Sequence, residues 1–85
     1  MNVHGELEKF ILTELAIDHD LESITSDIDL LMQGIIDSMG VVKLTAFIEE
    51  KFGIKVNDLD VIPENFQNIE SITNFVNSRI RVHFK

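Results

Sequence analysis

Ser38 is the side chain best placed to do chemistry, because it stands in the run Ile36-Asp37-Ser38-Met39-Gly40 at the head of an apolar periodic segment. An alcohol there has three uses: catalytic nucleophile, helix cap or point of attachment. The first fails on sequence grounds. A nucleophile elbow needs Gly two residues before the serine, where Ile36 stands, and a large sheet to mount the strained turn, for which 85 residues leave no room. No histidine lies near Ser38 in sequence to serve as base, so the chain reads as a non-enzyme. Capping suits serine well, since it is a preferred residue where a helix begins. Attachment needs more: an exposed start and a surface beside it to which a visiting protein can bind.

Metal chemistry finds little support. Asp18 and Asp29 end a twelve-residue span, the length of a calcium loop of the EF-hand type, but the sixth position is Ser23 instead of Gly and the twelfth is Asp29 instead of Glu. Solvated loop carboxylates account for these residues. His4, His19 and His83 are too scattered for a zinc site.

The elements that must position Ser38 follow from periodicity. Val3, Leu7, Phe10, Ile11 and Leu15 form the apolar stripe of a helix over about 3 to 16. Residues 18 to 37 lose that period, collect Asp, Ser, Thr and Gly34, and scatter Ile24, Ile28, Leu30, Leu31, Ile35 and Ile36, as a long loop pinned to a core would. A second helix runs from Ser38 to Phe52, stopped by Gly53. On it Val41, Leu44, Ile48 and Phe52 share the core face, while Met39, Val42, Lys43, Ala46 and Glu50 share an opposite face that is oddly apolar. A short helical turn is predicted near Pro63 to Phe66. Asn68 caps a last helix carrying Ile69, Ile72, Phe75, Val76 and Ile80. The fold expected is all-α, a small four-helix bundle of three main helices plus one short helix, with a long loop between the first two. Residues 79 to 85 form a basic tail, read as a frayed end or a continued helix.

Composition sets the limits. Eighty-five residues that are 45% hydrophobic and 26% charged fit one small domain spanning 1–85. Without cysteine there is neither disulfide nor thiolate site, so the cytoplasm is the expected compartment. No apolar run approaches the roughly 18 residues of a membrane span. A net charge of -8 repels phosphate backbones, which disfavours nucleic acid, and suits a partner with a basic docking surface.

The run Gly34-Ile35-Ile36-Asp37-Ser38-Met39-Gly40-Val41-Val42, followed by Leu44, by Ile48-Glu49-Glu50-Lys51-Phe52-Gly53-Ile54 and by Pro63-Glu64-Asn65-Phe66 before a final amphipathic helix, resembles the phosphopantetheine-binding carrier proteins. That family includes acyl, D-alanyl and peptidyl carriers, and the resemblance extends from the first helix to about Ser78. It implies that Ser38 receives 4'-phosphopantetheine from coenzyme A through a magnesium-using phosphopantetheinyl transferase, with Asp37 recognised by that enzyme or its metal. The arm would hold acyl or aminoacyl cargo as a thioester. Met39, Val42 and Ala46 would centre the contact with partner enzymes, Lys43 would lie beside them, and Glu49 and Glu50 would form an acidic rim. The partners implied are adenylating ligases, acyltransferases or synthases acting on a monomeric carrier.

Two departures narrow the resemblance. Members serving fatty acid synthesis typically read Asp-Ser-Leu-Asp with a further acid along the helix, whereas Met39, Gly40 and basic Lys43 stand here. The pattern is closer to discrete carriers loaded by an adenylating ligase, the D-alanyl type included. The competing expectation is a small helical adaptor that binds proteins through the Met39 strip, carries no prosthetic group and uses Ser38 only as a cap.

Overall fold

The computed structural model describes residues 2–16 and 23–83, the last three through their backbone alone. Helix α1 spans Val3–Phe10 and begins at Asn2, whose side-chain oxygen accepts the Gly5 N–H at 3.0 Å. The chain then widens into a π-type turn over Ile11–Leu15, closed by the Ala16 N–H donating to the Ile11 carbonyl at 2.7 Å. The helix expected over 3 to 16 is thus helical throughout but not uniformly α. The widened turn inserts one residue into the stripe. Val3, Leu7, Ile11 and Ala16 are the buried positions, and Leu15 lies half-buried.

Helix α2 covers Ser38–Phe52 and ends at Gly53, whose φ of 66° supplies the left-handed turn. Its core face is Gly40, Leu44, Ile48 and Phe52, with Val41 half-buried beside them. A 3-10 turn at Asp58–Asp60 leads into the short helix α3, Pro63–Phe66, and then into α4, Ile69–His83. Asn68 caps α4 by accepting the Ser71 N–H at 2.7 Å. The expected tail does not fray at residue 79: α4 continues through it to His83, and Arg79 and Ile80 are half-buried.

Helix α4 is the hub, packing against each of the other three helices. Ile69, Ile72, Phe75 and Val76 are its buried side chains. Each such side chain contributes roughly 1.5–3 kcal/mol when removed from water. No strand occurs among the described residues. The architecture is the all-α bundle of three main helices and one short helix expected from the periodicity.

The described part of the long loop is part of this core. Ile24, Leu30, Ile35 and Ile36 are buried in it. The Ile24 N–H donates to a Glu8 carboxylate oxygen at 2.9 Å, which ties the loop to α1. Leu30 donates to the Gln67 carbonyl at 2.7 Å and Glu70 to the Ser26 carbonyl at 3.0 Å, tying it to the junction of α3 and α4. A loop satisfied in this way holds its end still, and that end is Ser38.

Candidate functional site

Ser38 lies at the first position inside α2, not at the cap. Asp37 is the cap: its backbone is extended, and its carboxylate accepts the Gly40 N–H at 2.8 Å. The aspartate has the geometric advantage, because its oxygen lies one bond further from the backbone and carries charge at the positive end of the helix. The cap role assigned to serine by propensity is therefore filled by its neighbour, and the Ser38 hydroxyl is left exposed. Among the described residues that hydroxyl makes no hydrogen bond.

The approach to Ser38 is rigidly built. The Leu30 carbonyl accepts both the Ile35 and the Ile36 N–H groups, at 2.9 and 3.2 Å. Asp29 accepts from Leu31 and Met32 at 3.2 and 2.9 Å, so the carboxylate considered for calcium shapes a turn instead. Asp18, the other end of that span, lies outside the described residues. No cluster of potential metal ligands occurs among the described residues. Gly34 adopts φ 70°, letting the chain reverse before the buried pair Ile35 and Ile36.

Gly40 faces the core, and a Cβ there would stand 3.2 Å from the Ile36 Cβ. The glycine lets the loop end pass close under the first turn of α2. In the sequence Gly40 stands out only as a departure from the Asp-Ser-Leu-Asp pattern; its packing against Ile36 is visible only in the fold.

Beyond Ser38 the outer face of α2 is open. Met39 is 63% exposed and Val42 61%, with Lys43, Ala46, Glu49 and Glu50 also exposed. Glu49 has a second task, accepting the Val56 N–H at 2.8 Å and so holding the segment after α2. Met32, 82% exposed, adds an apolar side chain from the loop before Ser38, which periodicity along α2 could not reveal.

An exposed alcohol on the first turn, flanked by the Ser38 and Met39 amides that have no acceptor within the helix, suits a covalently held anionic group. Asp37 already takes the Gly40 amide, so a phosphate here depends on a bond to Oγ for its retention. Among the described residues none covers the hydroxyl, which leaves it open to a modifying group.

Residues 6–76 match the family model described as phosphopantetheine attachment site. The chain is 29% identical over 76 residues to the acyl carrier protein of Campylobacter lari, covering 89% of this chain and 94% of that protein. Among solved structures it resembles one chain of a structure described as "Crystal structure of FAD-dependent dehydrogenase". The TM-score is 0.73 and the identity 28%, over 82% of this chain and 97% of that one.

Proposed function

This chain belongs to the phosphopantetheine-attachment-site family, and from that premise we propose that Ser38 is the residue to which 4'-phosphopantetheine is joined. The prosthetic group is covalent, and members of this kind are carriers, not catalysts. The observation that carries the assignment to Ser38 is its exposed hydroxyl on the first turn of α2, with capping delegated to Asp37. In the transfer the Ser38 oxygen forms a phosphodiester, adenosine 3',5'-bisphosphate leaves coenzyme A, and the hydroxyl proton passes to a base that the transferase supplies.

The bound group supplies a terminal thiol to a chain that has none, and through it an acyl or aminoacyl group travels as a thioester. This chain's own residues orient and present it. Met39 and Val42 form the apolar centre of the docking face and Ala46 extends it, with Lys43, Glu49 and Glu50 as its charged margin. Lys43 weakens the acidic field on that face, which favours a discrete carrier loaded by its own adenylating ligase over one serving a general fatty acid synthase. Asp37 keeps one carboxylate oxygen free of the cap and is the group through which the transferase reads the attachment point.

The likeness to a chain within a structure described as an FAD-dependent dehydrogenase supports one further partner class. Such a flavoenzyme would take two electrons and two protons from the tethered cargo and pass them to its flavin. Anaerobic mixing of loaded carrier with a flavin dehydrogenase should bleach the flavin absorbance; unchanged absorbance on every cargo tried removes this partner class. The expected setting is the cytoplasm, and no helix among the described residues is long and apolar enough to cross a membrane.

Incubation with coenzyme A, magnesium and a broad-specificity phosphopantetheinyl transferase should add one phosphopantetheine to the intact mass. Ser38→Ala should abolish the gain while leaving the helical circular dichroism unchanged. A mass gain that survives Ser38→Ala overturns the assignment. The adaptor without a prosthetic group has no support from the family to which the chain belongs.

A further inference from the structure

Where α1 passes α2, Phe10 and Phe47 lie as a parallel pair, with ring centroids 4.1 Å apart and planes 12° from parallel. They line a groove of about 400 Å3 with Lys43, Ala46, Glu50 and Lys51. Two contacts fix its direction. Glu6, near the start of α1, pairs with Lys51, near the end of α2, at 3.6 Å; Phe10 and Phe47 then meet four residues further along α1 and four residues back along α2. The helices run antiparallel here, so one end of the groove points toward the N-terminus of α2 and Ser38. Toward the other end stands the Glu6–Lys51 pair, beside a second hollow of about 330 Å3 that shares Phe10, Phe47 and Lys51 with the groove.

We propose, building on the assignment of Ser38, that this groove is the resting place of the carried group, and that the cargo it takes is a compact acyl or aminoacyl group bearing one ring. Reach allows it. Lys43 and Phe47 lie about 7.5 and 13.5 Å from Ser38 along the helix axis, and the phosphopantetheine arm spans roughly the length of five extended residues, about 17 Å. Within the bundle Phe66 and Phe75, 1% and 7% exposed with centroids 5.8 Å apart, pack against each other between α3 and α4.

A ring is the shape the site recognises. Aromatic groups add to one another in offset or edge-on stacks, and the Phe10–Phe47 pair is open to a third member on its groove side. Lys43 and Lys51 place ammonium donors at the margins, where the amide and thioester carbonyls of an arm lying along α2 would pass. Beyond the ring pair the surroundings turn polar, with Lys9, Thr13, Glu14 and the Glu6–Lys51 pair around the adjoining hollow, which suits a compact group better than a long alkyl chain. The groove is shallow, which a tether tolerates. Attachment at Ser38 holds the cargo at an effective concentration of order millimolar, so weak contacts suffice to seat it.

The experiment uses the full chain labelled with 15N and loaded with benzoyl- or hexanoyl-phosphopantetheine from the corresponding coenzyme A thioester, with intact mass confirming loading. Relative to the unacylated holo-protein, the benzoyl form should shift the amides of Phe10, Lys43, Phe47 and Lys51, and the hexanoyl form should move them less. Phe10→Gln should remove the benzoyl shifts at Phe47 and Lys51. Shifts confined to the residues around Ser38, or centred on the core residues Leu44, Phe66 and Ile72, overturn the proposal. Should loading fail, the Ser38 assignment is what has failed; S-benzoylpantetheine titrated at millimolar concentration into the unmodified chain then reads the groove alone, and an absence of shifts at Phe10 and Phe47 overturns it there.

Discussion

Arg79 reaches back nineteen residues to donate to the Asp60 carboxylate at 2.6 Å. The guanidinium also lies 5.0 Å from the centre of the Phe75 ring, so it is held on one side by charge and on another by a π face. Asp60 in turn accepts the Asn57 N–H at 3.0 Å through its other oxygen, and its carbonyl accepts from the Asn65 side chain at 2.8 Å. One basic residue from the tail thereby fastens the irregular segment before α3 to α4, and of the two readings of that tail the continued helix is the one found.

Removing either partner should loosen that segment. The pair is partly exposed, with side-chain exposures of 36% and 15%, so screening limits its worth. Asp60→Ala should cost about 1–2 kcal/mol in urea unfolding, since it also loses the Asn57 contact, and Arg79→Ala about 1 kcal/mol. A double-mutant cycle should return a coupling near 0.5–1 kcal/mol; additive single effects would show that the two side chains do not act together.

Asp37 caps α2, and the recognition by the transferase proposed for it can be tested apart from that cap. Asp37→Asn keeps a capping oxygen and should leave stability within a few tenths of a kcal/mol, whereas Asp37→Ala should lose about 1 kcal/mol. If the charge is what the transferase reads, phosphopantetheine transfer slows in both variants. Normal transfer to Asp37→Asn would reduce the residue to a cap.

Gly34 precedes Ser38 by four residues and holds φ 70° with nothing within 4 Å of a built Cβ. The cost of Gly34→Ala is therefore conformational alone, about 1 kcal/mol, and Gly34→Asn should cost less because asparagine tolerates the left-handed region. Thermal melting of the two variants beside the parent reads the difference. Equal losses would point to something other than backbone strain.

Leu44 and Val42 sit two residues apart on α2 and should respond oppositely. Leu44 is fully buried, and Leu44→Ala should cost about 2–5 kcal/mol. Val42→Ala should change stability by less than about 0.5 kcal/mol while lowering kcat/KM for whichever enzyme loads or unloads the carrier. A Val42→Ala protein handled as well as the parent by several partners would remove Val42 from the docking face.

Much of the bundle was legible because burial repeats with the helix. Leu44, Ile48 and Phe52 on one side and Met39 and Val42 on the other follow from 3.6 residues per turn, and Gly53 and Asn68 mark ends through backbone and side-chain chemistry that act locally. Ser38 could be singled out for the same reason, since a short motif and a helix start are contiguous in the chain. The loop between α1 and α2 has no period, so only its composition was readable, not the Glu8, Gln67 and Ser26 contacts that fix its path.

By itself, then, the order of residues determined a small acidic helical bundle, the face of α2 turned outward and the serine at its head, because each depends on neighbours within a few turns. Tertiary structure decided which residue caps α2, where Arg79 finds its partner, and that Phe10 and Phe47 line a groove while Phe66 and Phe75 pack against each other within the bundle. These outcomes join residues from 3 to 37 positions apart, and which of several competent side chains wins is set by the distances that packing imposes.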